Sequence, residues 1–241
     1  MGSDVARIDS LSVVVPAYNE AARITRPLEA LRAFLAAHVT DAEILVVDDG
    51  STDASAAVVR AMPADRVPIR LIALPRNRGK GAAARAGLAE AAFPLVLLSD
   101  ADLSTPMTSL APLHAAVTAG ADVAIGSRAT VGARLLVRQP WWREGMGRTF
   151  NRVVRRTTGL PFHDTQCGFK LFRRTALSLL LAPSRIDGFA FDVELLLRAR
   201  RAGLTVVEVP VEWHHDFQSR VRPVRHSLQM LRDLWRVRDL W

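Results

Sequence analysis

Ser99-Asp100-Ala101-Asp102-Leu103-Ser104-Thr105-Pro106 follows directly on the apolar run Pro94 to Leu98. A short apolar run closed abruptly by polar residues reads as a buried parallel strand, and its carboxyl end delivers two carboxylates into a crevice. Ligands of open α/β sheets bind at such ends. In the turn after the strand both Asp side chains can reach one hard cation, particularly one that already carries phosphate oxygens. A D-x-D tripeptide alone is equally a loop or a helix cap, so its meaning depends on the residues around it.

Working outward, the same arrangement recurs. Leu11 to Val15 is a β-branched run stopped by Pro16, followed by Ala17-Tyr18-Asn19-Glu20 and an amphipathic helix to about Ala37. Glu43 to Val47 ends in Asp48-Asp49-Gly50-Ser51-Thr52-Asp53, with a helix to about Met62. Ile69 to Leu74 leads through Pro75 to Arg78 into an Ala-rich helix from Gly79 to Ala92. Apolar strands alternating with helices predict a mostly parallel sheet with right-handed crossovers, which gathers these strand ends along one edge. Asp48 is the candidate for accepting hydrogen bonds from a base or ribose, although Asp48, Asp49, Ser51 and Asp53 are also good turn and cap residues. Asn77-Arg78-Gly79-Lys80-Gly81 is no P-loop, because the glycine four residues before the Gly-Lys pair is missing and Gly81 stands where Ser or Thr is required. Backbone amides and Lys80 at that helix start can still face an anion.

Composition bounds the rest. The 241 residues carry no linker-like division, which predicts one main domain over residues 1–216 and a basic amphipathic tail over 217–241, packed on the domain or lying at a membrane surface. The single Cys167 excludes an intrachain disulfide, and the amino terminus lacks a signal-peptide pattern, so a cytoplasmic location is expected. No apolar run approaches the roughly 20 residues of a spanning helix, so any membrane role is peripheral, on the cytoplasmic face. The net charge of +8 points to anionic partners. It is concentrated: Arg128 to Arg156 holds eight arginines against Glu144, interleaved with Trp141, Trp142 and Phe150, and the tail from Phe217 holds six arginines against two aspartates. Leu228, Leu231, Leu234, Trp235 and Leu240 give that tail an apolar helical stripe. Nucleic acid, an anionic lipid surface or a lipid phosphate would each suit such clusters. Arg128, after the predicted strand Ala121 to Ser127, is the best placed to grip a phosphate bidentately.

Four of these stretches, Val15 to Glu20, Asp48 to Asp53, Asn77 to Gly81 and Asp100 to Ser104, resemble in order the motifs of family 2 glycosyltransferases of the GT-A fold. Gly126-Ser127-Arg128, Asp164-Thr165-Gln166-Cys167-Gly168-Phe169-Lys170 and Phe191-Asp192-Val193-Glu194 resemble the branch that glycosylates dolichyl or polyprenyl phosphate, in wording more like the glucosyltransferases than the mannosyltransferases. The resemblance implies an inverting, metal-dependent transfer from UDP-glucose, or alternatively GDP-mannose, to a polyprenyl phosphate. Pro16, Tyr18, Glu20, Asp48 and Lys80 would surround the nucleotide; Asp100, Ala101 and Asp102 would hold the sugar and the diphosphate with Mg2+ or Mn2+. Ser104 stands where related mannosyltransferases often have Gln. His214 or His215 could supply a late metal ligand, though a surface pair is the plainer reading. Arg128, with Lys170, would hold the acceptor phosphate, which attacks as an anion without a base; Asp164 would be a base only for a hydroxyl acceptor. The competing class, a non-catalytic protein binding nucleic acid or membrane through arginines, is disfavoured by the clustered carboxylates.

Overall fold

The computed structural model describes residues 7–137, 141–182, 184–214 and 223–240. The four predicted strands are present as β1 (Ile8–Ala17), β2 (Val39–Asp48), β3 (Ile69–Ala73) and β4 (Leu95–Leu98), and the intervening helices as α1 (Thr25–His38), α2 (Ser55–Arg60) and α3 (Lys80–Glu90). They lie side by side in the order β3-β2-β1-β4, all parallel. The chain first winds from β1 out to β3 and then returns to the other side of β1. Neighbouring strands β1 and β4 therefore leave in opposite directions, and a crevice opens between their carboxyl ends.

Helix α4 (Leu110–Thr118) leads to β5 (Val123–Ser127), β6 (Arg134–Val137), α5 (Trp141–Thr158) and β7 (Lys170–Arg173). Then come α6 (Arg174–Leu181), α7 (Phe191–Arg201), β8 (Val206–Pro210), β9 (Glu212–His214) and α8 (Pro223–Trp235). β7 enters the main sheet antiparallel between β4 and β5, with β8 parallel to β5 at the edge; β6 and β9 pair separately. Strand periodicity divides the core between the two faces of the sheet. Val14, Leu45, Val47, Val96 and Leu98 join α3, α5, α6, α7 and the end of α8 on one face. Val13, Val15, Ile44, Val46 and Leu97 join α1 and α4 on the other. On the first face the Ala-rich α3 presses close to the sheet: a Cβ on Gly87 would come 2.4 Å from Val14 Cγ1.

The described end of the tail packs into this core. Met230, Leu234, Val237 and Leu240 are buried in the same cluster as α5 and α7, while Trp235 is exposed. Among the described residues no helix is long and apolar enough to cross a membrane.

Candidate active site

A cleft of about 1510 Å³ opens at the carboxyl edge of the sheet and takes walls from β1, the loop after β4, α3, α5 and α7. Its first wall is the loop after β1, latched to the loop after β2. Asn19, at φ 54°, donates its backbone N–H to Ser51 Oγ (2.8 Å) and accepts Thr52 N–H at Oδ1 (2.8 Å). Glu20 N–H donates to Ser55 Oγ (2.7 Å). Pro16, Tyr18 and Glu20 all face the cleft, Glu20 in an ion pair with Arg23.

Asp48 does not occupy the place expected of it. It is buried beneath the turn, with its two oxygens taken by the Ser51 hydroxyl and backbone N–H. The neighbouring Asp49 faces the cleft instead, accepting from Gly79 N (2.7 Å), Arg78 N (2.9 Å) and Asn77 Nδ2 (3.0 Å). Burial raises its carboxyl above the usual carboxylate range despite these bonds. Two adjacent aspartates look alike in sequence and both are buried; the turn alone decides which one lines the cleft.

The floor carries the two carboxylates read from the sequence. Asp100 Oδ1 lies 2.5 Å from Lys80 Nζ. Burial opposes ionisation of Asp100, but Lys80 outweighs it and holds the carboxyl below its usual range, and the pairing raises Lys80 in turn. Asp102 also faces the cleft, and its Oδ1 accepts Ser104 N–H (2.9 Å) across a turn that needs Leu103 at φ 49°. Gly168 makes room for Asp100, since a Cβ there would fall 2.1 Å from Asp100 Oδ2.

Lys170 is corrected from phosphate contact to buried support. Its side chain is wholly buried, and Nζ donates to Asp192 Oδ1 (2.5 Å) and to the Cys167 carbonyl (2.5 Å). The reason is topological: β7 runs through the middle of the sheet, so its side chains enter the core. Asp192, at the start of α7, does reach the cleft; burial pushes its carboxyl up while Lys170 and Lys80 pull the other way. Cys167 is buried and its thiol is pushed up, which suits packing and not nucleophilic work.

The far wall holds Arg128 and Asp164. Arg128 grips the carboxylate bidentately, Nε to Oδ2 at 2.6 Å and Nη2 to Oδ1 at 3.0 Å, and its backbone N–H also donates to Oδ2 (3.1 Å). Gln166 N–H takes Oδ1 as well (3.2 Å). Burial works against the Asp164 charge, and Arg128 overcomes it, leaving the carboxyl low. Asp164 is thus engaged on both oxygens and fixes the guanidinium of Arg128 in place. Trp213 lies under the guanidinium, 5.6 Å from its carbon, and Glu208 on β8 accepts the N–H groups of His163 and Asp164. Thr165 Oγ1 donates to Asn151 Oδ1 (3.0 Å), tying α5 to this turn. The sequence alone assigned no role in the site to Asp49, Trp213 or Asn151; Asp192 stands within a quoted motif, but only the fold brings it here.

A divalent cation fits the donor set on one condition. Asp102 and Asp100 offer hard carboxylate oxygens at the cleft, but among the described residues no three His, Cys, Asp or Glu side chains form a metal cage. Magnesium-type sites of one or two carboxylates are completed by substrate phosphates. His214 donates its backbone N–H to Ser104 O (2.8 Å), so the end of β9 lies against the Asp102 loop, whereas His215 is outside the described residues.

The fold is that of the GT-A glycosyltransferases. A model of Glycosyl transferase family 2 matches residues 12–181, and the chain belongs to that family. Its relatives include the dolichyl-phosphate beta-glucosyltransferase of Drosophila melanogaster, 36% identical over 242 residues, covering 94% of this chain and 74% of that protein. The Homo sapiens protein of the same name is 32% identical over 243 residues, covering 95% and 74%. Among solved structures, glucosyl-3-phosphoglycerate synthase from Mycobacterium tuberculosis, in complex with Mn2+ and UDP-glucose, superposes at a TM-score of 0.68 with 22% identity over 94% of this chain and 77% of that one. Mannosyl-3-phosphoglycerate synthase from Rubrobacter xylanophilus superposes at 0.71 with 18% identity, over 95% and 73%. At these identities the likeness is one of fold.

Proposed function

We propose that the protein transfers glucose from UDP-glucose to dolichyl phosphate or another polyprenyl phosphate, with inversion at the anomeric carbon. The observation that carries this reading is the bidentate pairing of Asp164 with Arg128, which occupies the carboxylate expected to serve as base for a hydroxyl acceptor. A hydroxyl acceptor needs a base near its oxygen, whereas a phosphate monoester is already an anion and attacks directly. The names of the dolichyl-phosphate beta-glucosyltransferase relatives support glucose and the lipid phosphate, and the UDP-glucose complex of a fold neighbour is consistent with the donor.

In this mechanism Pro16, Tyr18, Glu20 and Asp49 border the nucleoside, with Asp48 shaping that wall through Ser51. Lys80 and Asp100 hold the diphosphate end of the donor, and Asp102, with Asp100, would hold Mg2+ or Mn2+. A cation bound there would neutralise the nucleotide as it leaves. Arg128, whose Nε and Nη2 are used by Asp164, presents Nη1 to the acceptor phosphate. One acceptor oxygen forms a bond to the anomeric carbon as the bond to the diphosphate breaks, and the electron pair leaves with UDP. The lipid acceptor makes the enzyme peripheral at an anionic membrane surface; nucleic acid is not needed by this reading.

The test is a donor panel. The purified chain is incubated with a short polyprenyl phosphate and, separately, UDP-glucose, UDP-galactose, UDP-N-acetylglucosamine and GDP-mannose. Glycolipid formed with UDP-glucose well above the others is the expected result. Preference for GDP-mannose would establish a mannosyltransferase instead, and no product with any donor would overturn the reading.

A further inference from the structure

Helix α5 presents more positive charge to the cleft than one acceptor phosphate can use. Phe150, Val154 and Thr158 bury one face of it. Arg148, Arg152, Arg155 and Arg156, at helical spacings of four, three and one, are exposed and all line the cleft. Among the described residues no carboxylate forms an ion pair with Arg152, Arg155 or Arg156, in contrast to Arg128, which Asp164 neutralises. From 152 to 156 these three arginines span about 6 Å along the helix axis, whereas one or two guanidinium groups satisfy a phosphate. Exposed apolar side chains accompany it: Val153 on α5, with Val131 and Leu136 beside the cleft residues Ala133 and Leu135. Arg152, Arg155 and Arg156, with no carboxylate partner among the described residues and mixed with exposed aliphatic side chains, suit a lipid headgroup layer. The helix is fixed in place by its buried face and by the Thr165–Asn151 bond, so the stripe is a built wall.

We propose that this face of α5 docks on anionic phospholipid headgroups, setting the cleft mouth against the bilayer from which the acceptor is drawn. The choice of partner rests on the proposed lipid acceptor; the binding itself does not require one. The full chain is therefore mixed with acceptor-free vesicles of phosphatidylcholine, with and without phosphatidylglycerol, and partitioning is measured by co-sedimentation. Each guanidinium at an anionic surface contributes about a fivefold gain, so Arg152→Gln/Arg155→Gln/Arg156→Gln should lower partitioning roughly a hundredfold, and Arg155→Gln alone about fivefold. Arg7→Gln/Arg60→Gln/Arg66→Gln makes the same charge change at the amino-terminal edge of the sheet and should cost little. Binding of the wild type should also need phosphatidylglycerol and vanish at high salt. Wild-type partitioning by the α5 variants, an equal loss in the control, or indifference to phosphatidylglycerol would overturn the proposal. So would tight binding of duplex RNA that the α5 variants lose while vesicle binding holds. Failure of glucose transfer leaves these measurements untouched, so the two proposals fail separately.

Discussion

Asp164 is the residue whose charge state is most open to test. Its folded carboxyl lies below the usual range because Arg128 holds it, so it stabilises the fold above the unfolded value near 4, and that contribution is lost as pH falls through the folded value. Asp164→Asn leaves Arg128 without its partner and should cost at most about 3 kcal/mol at pH 7. Thermal melts from pH 7 down to about 2 should show the gap between wild type and variant closing below about pH 4; a gap independent of pH would contradict the pairing. Gly168→Ala should push Asp100 away from Lys80, reducing transfer at least tenfold with uridine binding preserved; an active variant would mean the carboxylate can move at no cost. Asp102→Asn should lower kcat roughly a hundredfold with stability changed by no more than about 0.5 kcal/mol, and chelation of divalent cations should hurt the wild type by a similar factor. Asp100, Asp102 and Arg128 were legible because each interrupts or follows an apolar run. The choice between Asp48 and Asp49, and the burial of Lys170, were not, since both depend on contacts made by distant segments.

At the scale of elements, β1 to β4 were legible as apolar runs closed by polar residues, and α1 to α3 as the segments that connect them. β7 was not: Lys170-Leu171-Phe172-Arg173 has charged ends and no alternation, and only pairing with β4 on one side and β5 on the other makes it a strand. The tail was ambiguous for a related reason, since an amphipathic stripe fits a protein core as well as a bilayer. Leu234 is buried among core residues contributed by α5 and α7, so Leu234→Ala should destabilise the whole domain by about 2 to 4 kcal/mol in urea. A change under about 0.5 kcal/mol would place the tail outside the cooperative unit.

At the scale of the molecule, the parallel half of the sheet and the gathering of its carboxyl ends followed from the alternation of strand and helix, and the switch between β1 and β4 sets the cleft there. The other half of the site, carrying Arg128, Asp164, Asp192 and Trp213, is assembled by β5, α7 and the irregular strands, so its geometry came only with the fold. The two halves together make the central claim: a donor held by Lys80, Asp100 and Asp102 faces an anionic acceptor met by Arg128. The most direct measurement is phosphorus and proton NMR of the product formed from UDP-glucose and a short polyprenyl phosphate. The expected product is a glucosyl phosphodiester with the β configuration, formed one for one with UDP. Glucose released to water without a phosphodiester, glucose on a hydroxyl acceptor, or a product retaining the α configuration would contradict it.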